Sequence, residues 1–484
     1  MKKTGGSHPM TTNGANILIC DLVGLKLLAD GKPDHSEIAR YVAEKGGVFH
    51  EGDKGGNMSA PAAVTDGRLH FHYLPDLSTR EELLAVAGNG QYDAVIAAAT
   101  FLPAETVFPL GGVRIGAGTG NMGSASWGGG SGAGGTVPLM NTPGTNSRAT
   151  AQMVLKALLK VVPDLPVDEL HALVAAGDFD TGRQLRDFPT EKLEGKRLAV
   201  IGYGNIGREV AKLGHAFGMD VVVHARARHR QWIEAEGFIH AEDPVQAATG
   251  ADALSVHVGL GQPVAETGGW SNSGLIGDAV LSALNDGAVL INYDRGELVD
   301  VPALGRALAS GKVRHAAIDA DLFRNLETGA LSGPMLPYLA LVETHGDRLE
   351  LLPHAAADTD HPSRVAGAKQ AVDQIFAAIV EKRVINLKGA LPEGYTDAGP
   401  QVPTGIGGLS ASGLARFAGN EAALKSLETA AREIADLAAS LARACAEGHL
   451  DQAATAALET LLRNTNTLST LIRENGLQGP PAKA

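Results

Sequence analysis

Apolar residues fall in short runs along most of the chain, and amphipathic stretches of helical length separate them. Runs of four to seven apolar residues bounded by turn residues read as buried strands, and apolar residues stepping by threes and fours read as helices. On that basis residues 16–20 (N-I-L-I-C) form a first strand, and Asp34 opens a helix that reaches Lys45 before a Gly-Gly stop. Residues 69–73 form a second strand, Thr79 caps a helix to about Ala87, and residues 92–97 form a further buried strand. Residues 111–135 are crowded with glycine, which predicts either a flexible loop or a backbone-lined pocket wall. Ser147 opens a long helix. Beyond it the alternation resumes: strands at 253–258, 288–292, 313–319 and 350–352, with helices at 278–284 and 302–309 between them. A helix at 362–382 is followed by R-V-I-N-L. Alternating strands and helices predict parallel, doubly wound sheets with ligands at the carboxyl ends of the strands. His257, Asn292, Arg295, Asp319 and His354 all fall at such ends.

One unit in this series carries a motif. Residues 197–226 read R-L-A-V-I-G-Y-G-N-I-G-R-E-V-A-K-L-G-H-A-F-G-M-D-V-V-V-H-A-R, a strand, a glycine turn, a helix and a second strand. This is a dinucleotide-binding βαβ pattern. Gly202 permits the tight turn, Gly204 lets backbone approach a pyrophosphate, and Gly207 lets helix and strand pack closely. Tyr203, Asn205 and Ile206 complete the phosphate-facing turn, whose helix N-terminus offers free N–H groups. Eighteen residues beyond Gly207 stands Ala225, followed by Arg226 and Arg228. No carboxylate is there to bind a ribose 2′-hydroxyl, and two guanidinium groups can receive a 2′-phosphate, so NADP(H) is expected, with NAD as the alternative.

Composition narrows the class. At 484 residues, 44% hydrophobic and 20% charged, the chain has the make-up of a multidomain globular protein. A net charge of −13 argues against nucleic acid as a partner. Cys20 and Cys445 are the only cysteines, so neither a disulfide framework nor a cysteine-rich metal site is expected. No apolar segment of membrane-spanning length and no signal-like N-terminus is read, which makes the cytoplasm the expected location. Residues 400–408 read as a linker. Beyond it Leu424, Leu427, Ala431, Ile434, Ala438 and Leu441, then Ala454, Leu458, Leu461, Thr465, Leu468 and Ile472, predict a helical hairpin that assembles a homodimer or higher homo-oligomer.

These motifs, in this order, resemble the D-2-hydroxyacid dehydrogenase family, which includes the phosphoglycerate dehydrogenases. N-T-P-G-T-N-S-R-A-T-A-Q, A-D-A-L-S-V-H-V, G-A-V-L-I-N-Y-D-R-G-E-L-V-D and L-L-P-H-A-A-A-D-T carry the resemblance, which covers about three quarters of the chain. It implies an α/β fold of two Rossmann-like domains: a nucleotide domain at 151–354, inserted into a discontinuous substrate domain at 1–150 and 355–395. Residues 396–484 then add a linker and a C-terminal α-helical extension. The resemblance also implies NAD(P)-dependent hydride transfer to or from a small 2-hydroxy or 2-oxo acid. Arg295 is matched to the carboxylate-binding arginine and His354 to the acid/base histidine, with His257 and Asp319 on the cofactor side. Ala98, Thr100 and Asn121 are matched to the substrate loops.

Three departures stand out. The family's histidine-charging glutamate falls at Arg324, so Glu327 is taken for that role, with Asp321 the other nearby carboxylate. Asp294 stands where a small residue is usual. I-A-A-A-T at 96–100 lacks the phosphate-binding arginine of phosphoglycerate dehydrogenases. A second expectation is a cofactor-sensing, corepressor-like binding protein on the same scaffold, without turnover.

Overall fold

The computed structural model describes residues 14–399, apart from 53–60, 76, 78, 163, 267, 326 and 357–359, together with residue 434. The linker and helical hairpin expected beyond residue 399 lie outside the described residues, Ile434 excepted.

Two seven-stranded sheets organise the described chain. The first contains β1 (Ala15–Ile19), β2 (Val48–Glu51), β3 (Leu69–Tyr73), β4 (Ala94–Ala97), β5 (Gly111–Arg114) and β6 (Leu139–Asn141). The second contains β7 (Arg197–Ile201), β8 (Asp220–His224), β9 (Ile239–Ala241), β10 (Ala253–Val256), β11 (Ala288–Asn292), β12 (Val313–Asp319) and β13 (Leu349–Leu352). A short return strand, β14 (Leu387–Lys388), completes the first sheet as its one antiparallel member. The orders are β14-β6-β5-β4-β1-β3-β2 and β13-β12-β11-β10-β7-β8-β9. In the second sheet the chain passes from β7 out through β8 and β9, then returns to the other side of β7 as β10. That reversal opens a crevice at the carboxyl ends of β7 and β10.

Burial explains why these runs are strands. β1, β4 and β10 are buried along their whole length, as parallel strands covered on both faces are. Leu69, Phe71 and Tyr73 of β3 are buried while His70 and His72 are half-buried, which keeps its period of two. The helix Ser147–Val161 packs Val154, Leu155 and Leu158 into the core of the second sheet, beside the helix Asn205–Ala216. The helix His361–Val380 lays Val365, Ala368, Val372 and Ile375 on the first sheet.

β2, β5, β6, β9 and β14 escaped sequence reading. β2 is short and only half-buried, and β5 (G-G-V-R) lies in the glycine-crowded stretch, where composition hides it. That stretch is ordered. Trp127 is buried, donates its indole N–H to the Met122 carbonyl at 2.7 Å, and stacks on Phe108 with centroids 5.9 Å apart. The Asp34 helix begins later than expected, at Ser36, with Asp34 Oδ1 accepting the Ser36 hydroxyl at 2.5 Å.

Candidate active site

At the end of β7 the chain turns through Gly202 at φ 105°, where a side chain would be strained and a Cβ would lie 2.1 Å from the His257 carbonyl oxygen. Gly207, in the first turn of the following helix, has its Cβ position 2.0 Å from the Gly202 carbonyl oxygen, so only glycine lets helix and turn close. Nothing stands within 4 Å of a Cβ built on Gly204. Tyr203 is buried, edge-on to Phe238 at 6.3 Å, and Asn205 and Ile206 begin the helix. The turn therefore offers open space in front of a helix N-terminus, which fits a pyrophosphate. His257 backs the turn. Burial pushes its imidazole pKa down to about 3, so it is neutral at ordinary pH, with Nε2 against Ser255 Oγ at 2.7 Å. Its buried Nδ1 has no hydrogen-bond partner among the described residues. Past β8, Ala225 is buried, and Arg226 and Arg228 are exposed. Arg228 Nε donates to His229 Nε2 at 3.2 Å.

A second cluster lies at the carboxyl ends of β11, β12 and β13. Arg295, His354, Asp321, Asp294 and Glu297 line one small pocket with Leu260, Ala320 and Pro334. His354 sits at φ 56°, a left-handed conformation rare outside glycine, directly after Pro353. Asp319, at the end of β12, holds that conformation: Oδ1 accepts the Ala355 amide at 2.8 Å and Oδ2 the Ala356 amide at 2.9 Å. His354 Nδ1 then meets Asp321 Oδ2 at 3.0 Å. Burial alone would lower the histidine pKa, but the Asp321 hydrogen bond and charge outweigh it and raise the pKa above its usual value. For Asp321, burial works upward, and the His354 hydrogen bond and charge carry the pKa below normal.

The carboxylate beside His354 is thus Asp321, which corrects the choice of Glu327. Residues 323–332 form a small hairpin, Phe323–Arg324 against Leu331–Ser332, and Glu327 is exposed in its turn. The Glu327 amide donates to Asn325 Oδ1 at 3.0 Å, a local turn bond. Because the hairpin leaves the pocket after Asp321, residues further along are carried away from His354. Counting to the family position missed the shorter route.

Arg295 follows β11. Asn292 Nδ2 donates to its carbonyl oxygen at 2.8 Å, and the guanidinium leans on Gly118, where a Cβ would stand 2.5 Å from Nη2. The glycine-rich stretch therefore approaches the pocket's arginine at Gly118. Asp294 is forced by burial to a pKa raised to about 6, although the Arg295 and His354 charges pull downward.

Opposite lies the loop after β4. The amides of Ala98, Ala99 and Thr100 all point at the Asp21 carboxylate, at 2.9 to 3.2 Å. Asn121 Nδ2 donates to the carbonyls of Ala98 and Thr100 at 3.1 and 2.8 Å. Ala98, Thr100 and Asn121 come together as expected, but these amides already serve Asp21 and Asn121 serves the loop's own carbonyls. Sequence reading missed Asp21, although its place just past the end of β1 was the available signal. Phe101 and Phe323, both exposed, meet edge to face across the mouth at 5.3 Å.

Residues 165–331 match the family model described as D-isomer specific 2-hydroxyacid dehydrogenase, NAD binding domain. Among curated proteins, a glyoxylate reductase from Aeropyrum pernix is 32% identical over 248 residues, covering 50% of this chain and 66% of that protein. A D-3-phosphoglycerate dehydrogenase from Methanocaldococcus jannaschii is 26% identical over 253 residues, covering 52% of this chain and 43% of that protein. The matched stretch thus spans between two fifths and two thirds of these relatives. Among solved structures, an acyclic imino acid reductase in complex with NADPH and D-Arg aligns with a TM-score of 0.50 at 18% identity, over 77% of this chain and 99% of that one. At that identity the likeness is one of fold.

Proposed function

We propose, for a chain that belongs to the D-isomer-specific 2-hydroxyacid dehydrogenase family, that it moves a hydride between NADP(H) and C2 of a small 2-hydroxy or 2-oxo acid. The observation that carries this reading is the meeting of Arg295 with the His354–Asp321 pair around one pocket. When bound, the cofactor supplies or takes the hydride. The chain's own residues do the rest. Arg295 receives the substrate carboxylate through its planar guanidinium, and Gly118 leaves room for that side chain. His354, with Nδ1 held by Asp321, keeps Nε2 for the oxygen on C2. In reduction it donates a proton to the forming alkoxide, and in oxidation it takes the hydroxyl proton. Asp321 keeps the imidazolium populated to higher pH. Asp319 acts at one remove, by fixing the left-handed backbone that aims the ring. The loop of Ala98, Thr100 and Asn121 forms the opposite wall, stiffened from behind by Asp21.

The Gly202–Gly207 turn would hold the dinucleotide through its pyrophosphate, for which Gly204 leaves open space. Arg226 and Arg228, exposed beyond β8 where no carboxylate stands, would receive a 2′-phosphate. The reading therefore favours NADPH over NADH. The corepressor-like alternative draws no support from the relatives named above, which are enzymes.

Steady oxidation of NADPH or NADH with glyoxylate, hydroxypyruvate and a panel of longer 2-oxo acids tests the proposal. Turnover with a kcat/KM at least about tenfold higher for NADPH is expected, since one charge-assisted contact contributes about 1.5–3 kcal/mol. Inactivity across the panel with cofactor binding intact would overturn hydride transfer, and equal or reversed cofactor preference would overturn the assignment of Arg226 and Arg228.

A further inference from the structure

The loop after β4 has spent its polar groups before any substrate arrives. Asp21, 6% exposed, takes the amides of Ala98, Ala99 and Thr100, and Asn121 takes the carbonyls of Ala98 and Thr100. The cation on this side, Arg114, is also engaged. Its Nη1 donates to the Ile115 carbonyl at 2.6 Å, and a Cβ on Gly116 would stand 1.4 Å from that nitrogen, so the guanidinium folds back over its own strand end. Its charge acts on Asp321, which already holds His354. What this mouth turns to water is apolar. Phe101 is 53% exposed and Phe323 41%, and their rings meet edge to face at 5.3 Å. Phe323 is continuous with the pocket: its Cδ2 stands 3.1 Å from the Cβ position of Gly333, the residue before Pro334, which lines the pocket with Leu260. The base of the hairpin is pinned there, the Met335 amide donating to the Asp321 carbonyl at 3.0 Å. Leu322, next to Asp321, is exposed as well. Large apolar side chains left in water around a pocket with a charged floor mark where a ligand's apolar part is covered.

Resting on the hydride-transfer reading above, we propose that Phe101 and Phe323 are specificity-determining residues. They select 2-oxo acids with a bulky apolar substituent, branched or aromatic, over glyoxylate and over acids with a second anionic group. Arg295 takes the carboxylate at the floor, and the substituent lies against the two rings at the mouth. There it removes from water apolar surface on the rings and on itself. A planar substituent can also join the edge-to-face pair. Glyoxylate has no group to reach the rings. A second carboxylate meets loop amides that already serve Asp21, so it gives up its water without a matching return.

The test uses the full chain with saturating cofactor. Turnover is read as kcat/KM for phenylpyruvate, pyruvate, glyoxylate and 2-oxoglutarate, and calorimetry reads binding of two unreactive acids, 3-phenylpropanoate and propanoate. Phenylpyruvate should exceed each of the other three, and 3-phenylpropanoate should exceed propanoate, by about tenfold or more, the scale of added apolar contact in a pocket. Phe101→Ala and Phe323→Ala should each lower the phenylpyruvate-to-pyruvate ratio several-fold, and Phe323→Leu should lower it less. Each ratio is taken within one variant, so a loss of folded protein does not imitate the effect. Pyruvate or glyoxylate preferred by the wild type would overturn the assignment, and 2-oxoglutarate preferred would overturn it in favour of Arg114. An unchanged ratio in both alanine variants, with all acids slowed alike, would also overturn it, leaving the rings as a clasp between the two walls. The two readings fail separately. Selective binding of 3-phenylpropanoate without any turnover would sink hydride transfer and keep this specificity, whereas turnover favouring pyruvate would do the reverse.

Discussion

At the scale of single residues, two carboxylates in one pocket are tuned in opposite directions, and each makes a different prediction. Asp321 accepts from His354 Nδ1 at 3.0 Å and raises the histidine pKa. Reduction needs the protonated imidazole, so activity falls as pH rises through that pKa. Asp321→Asn removes the charge and should move this basic limb of kcat/KM to lower pH by about one unit or more. An unchanged limb would detach Asp321 from the histidine. Asp294 has its pKa raised from 3.8 to about 6 by burial. Its protonation therefore stabilises the fold fully below the unfolded value of 3.8, and that contribution is lost as pH rises through about 6. Asp294→Asn keeps the shape without the charge. Its stability relative to wild type should rise between pH 4 and 6 and level off above, as read by urea midpoints across pH. A difference that is flat with pH would contradict a buried, costly carboxylate. Asp319 makes the third case. Losing its two amide contacts should cost Asp319→Ala about 2–3 kcal/mol and lower kcat more than cofactor affinity, because the His354 backbone loses its anchor.

At the scale of elements, chemistry follows the carboxyl ends of strands. β7 delivers Gly202, β11 delivers Arg295, β12 delivers Asp319 and Asp321, and β13 delivers His354. Gly207→Ala places a methyl 2.0 Å from the Gly202 carbonyl oxygen, so turn and helix must part. The variant should bind NADPH at least about tenfold more weakly in fluorescence titration, a loss of about 1.4 kcal/mol or more. Near-normal affinity would mean that the turn does not hold the dinucleotide. The same elements show what was legible in sequence. Long buried runs such as A-V-L-I-N and V-R-H-A-A-I-D read directly as strands because burial on both faces leaves a continuous apolar signal. G-G-V-R did not, because its two glycines leave no apolar run, although Gly112 packs against Val95 and Trp127. Arg295 and His354 were singled out by motif context, and they line one pocket. Asp321 was passed over for Glu327 because the course of the hairpin after β12 depends on tertiary packing, and spacing alone does not reveal which carboxylate turns inward. Asp21 was missed for a related reason: its contacts are to backbone amides some eighty residues away.

At the scale of the whole molecule, two doubly wound sheets face a shared cleft, where Gly118 of one side meets Arg295 of the other and Phe101 meets Phe323. Among the described residues no helix is long and apolar enough to cross a membrane, and no group of three or more metal-ligating side chains is placed to hold an ion. Residues 96–100 carry no arginine, and Arg114 at the end of β5 is a cation on the first sheet's side. The central claim is that this cleft performs hydride transfer with His354 as the proton donor and acceptor. The most direct measurement compares wild type with His354→Ala, following NADPH oxidation by a 2-oxo acid alongside fluorescence titration of NADPH. Turnover should fall by about 10²–10⁴-fold while cofactor affinity stays nearly unchanged. Near-normal turnover in His354→Ala would contradict the mechanism.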